Sequence, residues 1–251
     1  MKMQGEGDVC SIKRIGSMHT QTAMKKILVV DDEPHILELI CYNLEKQGYH
    51  AICLQDGLAA WTRFEKEVFD MVLLDIMMPG MDGLTLCRKI RDKGSVPIMM
   101  ISAKIEEFDK VLALELGADD YMTKPFSVRE LMARVKSILR RSESQMLEKP
   151  GDTFRFKEFT LIPSEHKFLK GDQEIPLTLM EYQIMELLLK NPGKVMSRDI
   201  MTEYIWGTDF YGDTRTIDVH IRHLREKMEE DASNPRFIHA VRGVGYKLQE
   251  K

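Results

Sequence analysis

Met71-Val72-Leu73-Leu74-Asp75-Ile76-Met77-Met78-Pro79-Gly80 sets an acid directly after four apolar residues and then closes on a Pro-Gly turn. A short apolar run bounded by turn residues predicts a strand buried on both faces, as in a parallel sheet. Ligands of open α/β sheets sit beyond the carboxyl ends of the strands, so Asp75 stands where such a sheet delivers chemistry. Taken alone, the stretch suits an ordinary strand-end acid equally well. The other strand ends decide between the two.

The 251 residues leave room for two ordinary domains. A composition of 43% hydrophobic and 30% charged residues is that of a soluble globular protein. The net charge of −4 gives no global sign of nucleic-acid binding, so any basic surface must be local. No apolar run approaches the roughly 18 residues that span a bilayer, which argues against a membrane partner. Cys10, Cys41, Cys53 and Cys87 show neither CxxC nor His/Cys ligand spacing. They predict neither a zinc site nor a disulfide framework, and they fit a reducing cytoplasm. Residues 1–23 show no sustained period and no signal-peptide core, and are expected to lack a fold of their own.

From Met24 the pattern becomes regular. Ile27-Leu28-Val29-Val30 reads as a strand ending in Asp31-Asp32-Glu33-Pro34. Ile36, Leu37, Ile40, Cys41 and Leu44 then recur at helical spacing, and Gly48 closes that helix. Strands are predicted over 49–54, 71–74, 98–101 and 120–122, with helices over 58–66, 84–91, up to Leu116, and over 131–141. Five strands alternating with five helices predict a doubly wound α/β domain with a five-stranded parallel sheet over 24–142.

Four of these strands end in Asp31/Asp32, Asp75, Ser102 and Lys124, all at one sheet edge. Three neighbouring carboxylates repel, and a hard divalent cation such as Mg²⁺ relieves that repulsion. A carboxylate is also a nucleophile toward phosphorus. Mg²⁺ and the Lys124 ammonium would balance the charge of a transferred phosphoryl group, and the Ser102 hydroxyl would donate to it. Asp75 is thus the expected phosphoryl acceptor.

Val29-Val30-Asp31-Asp32-Glu33, Leu74-Asp75 through Gly83, Ser102-Ala103-Lys104, Gly117-Ala118-Asp119-Asp120-Tyr121 and Lys124-Pro125-Phe126 resemble the receiver domain of two-component response regulators. The resemblance implies phosphorylation of Asp75 by a sensor histidine kinase. It implies Mg²⁺ held by Asp31, Asp32, Asp75 and the backbone carbonyl of Met77. Ser102 and Tyr121 would form the switch pair, Lys124 would contact the phosphoryl group, and the Lys124–Pro125 bond would be cis. Met77 and Lys104 flank the expected path of the hydrolytic water, which predicts a long-lived aspartyl phosphate. Haloacid-dehalogenase-type phosphatases also use an Asp after a strand, but they need an acid two residues on. Met77 stands there, so no enzyme is expected.

Residues 143–153 are polar, contain Lys149-Pro150-Gly151, and read as a linker. Over 154–251 the period changes. Short alternating strands, over 154–156, 159–161, 165–169 and 174–177, come first. A capping box at Thr178-Leu179-Met180-Glu181 opens a helix over 182–190, and Ser197 caps another over 198–205. A basic helix over 214–228 follows, then a hairpin through Arg242-Gly243-Val244-Gly245. Three helices and a hairpin predict an α+β winged helix-turn-helix whose third helix enters the DNA major groove.

Leu177 through Tyr182, Arg215 through Lys227, and Val241 through Tyr246 resemble the OmpR/PhoB family's DNA-binding domain. The resemblance implies that His220, Arg222 and Arg225 face double-stranded DNA, with Arg215 on phosphate and Arg242 in the minor groove. His223 stands where the family often has Arg or Lys. The 208–213 loop matches the one that touches RNA polymerase in family activators. The family also implies a homodimer on activation, through Lys110, Asp119, Asp120, Glu130, Arg134 and Arg141, with Lys110–Glu130 and Asp120–Arg134 as cross-dimer pairs. The expected protein is a phosphorylation-gated transcriptional regulator on repeated half-sites. The alternative is a DNA-binding regulator that works independently of phosphorylation, with the receiver as a constitutive dimer module.

Overall fold

A computed structural model of the chain describes residues 24–103, 107–147, 153–207, 214 and 216–250. Residues 1–23, the 208–213 loop, Lys104 and Arg215 lie outside them, as does the side chain of Arg141. Among the described residues no helix is long and apolar enough to cross a membrane.

The first half alternates β1 (Lys26–Val30), α1 (Pro34–Lys46), β2 (His50–Leu54), α2 (Gly57–Phe64), β3 (Met71–Leu74), α3 (Gly83–Lys93), β4 (Ile98–Ser102), α4 (Glu107–Glu115), β5 (Asp120–Thr123) and α5 (Val128–Leu147). The five strands form one parallel sheet in the order β2-β1-β3-β4-β5. The strand period of two divides its side chains between two cores. Ile27, Val29, Met71, Leu73, Met99 and Ile101 pack with α1 and α5. Leu28, Val30, Val72, Leu74, Ile98 and Met100 pack with α2, α3 and α4. Both faces are covered, which is why β1, β3 and β4 read as apolar runs.

Local chemistry fixes the helix starts. Pro34 opens α1, where a missing backbone N–H costs nothing. The Asp56 side chain accepts from Ala59 N at 2.7 Å to cap α2, and Asp82 accepts from Thr85 N at 2.8 Å to cap α3. Helix α5 runs to Leu147, beyond the helix end expected at 141 and into the stretch read as linker. Nothing between Arg140 and Leu147 breaks a helix, since the first Pro is Pro150.

The second half begins with an antiparallel sheet of β6 (Phe154–Phe156), β7 (Phe159–Ile162), β8 (Lys167–Lys170) and β9 (Gln173–Glu174). The third strand starts later than the alternation predicts. Pro163 begins a single 3₁₀ turn, and His166 adopts the left-handed conformation. The fourth stops at Glu174, just short of Pro176, which has no N–H to give a ladder. Helix α6 (Leu179–Lys190) carries the full capping box: Thr178 N donates to Glu181 Oε2 at 2.8 Å, and Glu181 N donates to the Thr178 hydroxyl. After β10 (Met196–Ser197) come α7 (Arg198–Trp206), α8 (Thr216–Met228), and the hairpin β11 (Ile238–Val241) and β12 (Gly245–Leu248). Strands β10, β12 and β11 form the wing sheet, and Gly245 lies so close to Met196 that a Cβ would sit 2.0 Å from its carbonyl oxygen.

The cysteines depart from expectation. Cys41 of α1 and Cys53 of β2 are joined by a disulfide. The β1-α1-β2 crossover folds the helix back over the neighbouring strand, so residues 12 apart meet. Cys-spacing rules register metal and thioredoxin motifs, not this crossover geometry.

Candidate phosphoacceptor site and DNA-facing helix

Asp75 follows β3, where its backbone N donates to Val30 O at 2.8 Å and so continues the ladder to β1. Its side chain is 4% exposed. Oδ1 accepts from Met77 N at 3.1 Å. The loop is held from the other side by Gly83, since a Cβ there would lie 1.8 Å from the Asp75 carbonyl oxygen. Asp31, at the end of β1, donates its N to Leu54 O at 3.1 Å, and its Oδ1 accepts from Glu33 N at 3.0 Å. Carboxylate oxygens of Asp31, Asp32 and Asp75 all lie within 4.8 Å of one another.

Lys124, just past β5, reaches back into this cluster. Its ammonium donates to Asp75 Oδ2 at 2.6 Å and to Glu33 Oε1 at 2.8 Å, and lies 2.9 Å from Asp31 Oδ2. Burial alone would lower its proton affinity. The contacts with Asp75, Glu33 and Asp31 outweigh that and hold it well above the ordinary lysine range. Burial raises the Asp31 carboxyl above its ordinary value, against the pull of Lys124. The carboxylates of Asp31, Asp32, Asp75 and Glu33 outnumber the one ammonium, and a divalent cation offsets the excess negative charge. Oxygen donors alone, at this spacing, suit Mg²⁺. Met77, whose carbonyl was expected to help, has a side chain standing 58% exposed beside the cluster.

Ser102 closes β4 and is fully buried. Tyr121, on the adjacent β5, is turned inward. Burial pushes its hydroxyl up, while a hydrogen bond with Ser102 acts the other way. The Lys124–Pro125 bond is cis.

Four of the residues expected on a dimer face, Asp119, Asp120, Glu130 and Arg134, are engaged within the chain. Arg134 Nη1 donates to both Asp120 oxygens at 2.9 Å, and Nη2 donates to Glu130 Oε1 at 2.6 Å. The Asp120–Arg134 pair thus closes inside one subunit, because one face of α5 lies directly over the end of β5. Burial opposes the Arg134 charge, but Asp120 and Glu130 more than restore it. Asp119 is fully buried and accepts from Arg91 Nη2 and Ile98 N, each at 2.8 Å. Lys110 is half-buried on α4.

Helix α8 lies against α4 of the first half. Val219 joins the apolar core beneath α4. Arg222 Nη1 donates to Glu115 Oε1 at 2.8 Å, and His223 Nε2 lies 3.2 Å from Glu115 Oε2. His220, expected to face DNA, is 2% exposed, and its ring meets the Asp119 backbone. Arg225 donates to Ile238 O at 3.1 and 2.8 Å and lies over the Tyr246 ring, bracing the wing. Arg222 and Arg242 keep exposed side chains. A second contact joins α5 to α7, where the Ser137 hydroxyl donates to Trp206 O at 3.2 Å. Glu115 is the residue that sequence reading missed; an acid at a helix end carries no local sign of a partner 107 residues away.

A doubly wound receiver with a buried acidic pocket, joined to a winged-helix domain, defines a response regulator with a DNA-binding output. Residues 27–136 match the response regulator receiver domain, and residues 172–248 match the C-terminal domain of transcriptional regulatory proteins. A single-substitution mutant of RitR is 25% identical, with a TM-score of 0.70, over 90% of this chain and 100% of that one. DrrB, an OmpR/PhoB homologue of Thermotoga maritima, is 30% identical over 90% of this chain and 99% of its own, with a TM-score of 0.49. A protein described as belonging to a family of streptococcal redox sensors evolved from two-component response regulators is 26% identical over 90% of this chain and 100% of that one, with a TM-score of 0.46. The chain belongs to the OmpR/PhoB family of response regulators.

Proposed function

We propose that the protein is a phosphorylation-gated, DNA-binding transcriptional regulator of the cytoplasm. Asp75 is its acceptor and a sensor histidine kinase its donor. A carboxylate oxygen of Asp75 attacks phosphorus; a P–O bond forms as the P–N bond of the donor phosphoimidazole breaks, and the imidazole takes the electron pair and leaves neutral, keeping the proton already on its other ring nitrogen. The observation that carries this is the 2.6 Å contact between Asp75 Oδ2 and Lys124 Nζ inside a buried pocket of carboxylates. Lys124 orients the acceptor and receives the new phosphoryl charge. Asp31, Asp32, Asp75 and the Met77 carbonyl would hold Mg²⁺, whose charge supports phosphoryl transfer. The Ser102 hydroxyl leaves Tyr121 and donates to a phosphoryl oxygen.

Asp119 and Asp120 lead into β5, and α4 leads up to them, so a change at Ser102 and Tyr121 is felt beneath Glu115. Phosphorylation shifts the population from the state in which α4 covers α8 toward one in which α8 is free for DNA. Receiver pairing through the α4–β5–α5 face, with Arg134 and Asp120 exchanging partners, then favours repeated half-sites by effective concentration. The 208–213 loop is the expected contact with RNA polymerase. Promoter affinity measured with and without a small phosphodonor and Mg²⁺ tests the reading. Tighter binding by the phosphorylated protein supports it. Equal binding of both forms favours the phosphorylation-independent alternative.

A further inference from the structure

Cys41 and Cys53 have no part in the phosphoacceptor site, yet the fold brings them together. Cys41 sits in the third turn of α1, facing the sheet, and is 8% exposed. Cys53 lies on β2, the edge strand of the sheet, and is partly exposed. Their Cα atoms are 6.6 Å apart. That falls inside the span of about 4.4–6.8 Å that a disulfide bridges without backbone movement. The third described cysteine, Cys87, is a counterexample in the same domain. It is buried without a partner cysteine, and burial pushes its thiol up to about 12, so it is inert.

A DNA-binding regulator works in a compartment that keeps thiols reduced. A pair placed for bridging there is a dithiol at rest and a disulfide only under oxidation. We propose that Cys41 and Cys53 form a reversible dithiol–disulfide site that reads the thiol redox state. The oxidant is a low-molecular-weight disulfide of the glutathione class. The more accessible Cys53 loses its proton, and its thiolate attacks one sulfur of the oxidant. An S–S bond forms to the protein, and one small thiolate leaves. The Cys41 thiolate then attacks Cys53 Sγ, the internal bridge forms, and the second small thiolate leaves. Two protein thiols are oxidised, one small disulfide is reduced to two thiols, and the two protons pass to the leaving thiolates.

The bridge has a structural consequence. Helix α1 begins directly after Asp31, Asp32 and Glu33, and Leu54, next to Cys53, accepts the Asp31 N–H at 3.1 Å. Linking α1 to β2 therefore braces two elements that border the acidic pocket. A covalent link between them removes freedom from the unfolded chain and raises the melting temperature of the oxidised form. The proposal rests on the regulator reading only for the compartment.

The test uses full-length protein carrying Cys10→Ser, which leaves three of the four thiols. The protein is equilibrated in glutathione buffers from reducing to oxidising, quenched with an alkylating agent in denaturant so that buried thiols also react, and read by intact mass and linked-peptide mapping. The expected result is the joint loss of two alkylation sites, a peptide pair linked through Cys41 and Cys53, and full recovery on reduction. Oxidation raises the melting temperature. Cys41→Ser removes both effects and leaves at most a glutathione adduct on Cys53. Three alkylated thiols at every potential would overturn the proposal, as would a bridge between two chains or an unresolved glutathione adduct in the parent. The linked-peptide readout stands even if Cys41→Ser does not fold. No kinase or DNA enters the assay, so a failure leaves the phosphoacceptor reading untouched.

Discussion

Glu115 Oε1 accepts a 2.8 Å hydrogen bond from Arg222 Nη1 while Glu115 Oε2 lies 3.2 Å from His223 Nε2. One receiver carboxylate thus holds two side chains of the helix expected to read DNA. Those two side chains cannot serve Glu115 and DNA at once.

Removing that carboxylate should favour the open state without phosphorylation. The Arg222 guanidinium is largely in water, so the clasp is worth about 1 kcal/mol, or roughly fivefold in an equilibrium. Glu115→Ala should tighten DNA binding of the unphosphorylated protein by about that factor. Titration of labelled promoter DNA measures it, and unchanged affinity would show that the contact does not restrain α8.

Gly83 tolerates no side chain, because a Cβ would lie 1.8 Å from Asp75 O and 2.9 Å from Ile76 Cα. Both neighbours are backbone, so the loop itself must move. Gly83→Ala should cost about 2–4 kcal/mol, within the range of severe single substitutions. Denaturant unfolding reads this directly, and it should be accompanied by slower phosphorylation of Asp75. A variant as stable as the parent would refute the close approach.

Acid should weaken the fold through two buried rings. Burial holds His166 and His220 below their ordinary 6.5. Asp119 and Glu181 oppose that at His220, while His223 adds to it. In the unfolded chain both rings take protons near 6.5, whereas the folded chain takes them only at lower pH. Their contribution is therefore fully present above about 6.5 and is lost as pH falls through the lowered folded values. Melting temperature should drop as pH falls below about 6.5, and less so in a His166→Phe, His220→Gln variant. The same slope in both proteins would count against these rings as the cause.

Met77 stands two residues past Asp75 with its side chain 58% exposed and its amide on Asp75 Oδ1. A bulky apolar group there would hinder the water that hydrolyses an aspartyl phosphate. The phosphorylated protein, freed of donor and phosphatase, should persist for minutes or longer, and Met77→Ala should shorten that lifetime. Decay of the intact protein in seconds would contradict this.

The parallel sheet was legible because both of its faces are covered, leaving apolar runs in β1, β3 and β4 that end in Asp31, Asp75 and Ser102, with the shorter, more polar β5 leading to Lys124. The acidic pocket was legible for the same reason: strand ends of one parallel sheet meet at one edge. The capping box at Thr178 and Glu181 was equally local. What stayed hidden depends on chain segments far apart in sequence. Glu115 meets Arg222 only once two domains are docked. The family resemblance implied that His220 and Arg225 face DNA, whereas the docked receiver and the wing claim them. Cys41 and Cys53 meet through a crossover that residue spacing does not encode.

The most direct test of the account is hydrogen–deuterium exchange over α4 and α8 in the full-length protein, with Mg²⁺, before and after a small phosphodonor. Mass spectrometry establishes phosphorylation at Asp75 in the same samples. Faster exchange in both helices, absent in Asp75→Asn, is the expected result. Unchanged exchange in protein shown to be phosphorylated would contradict release of α8 by Asp75.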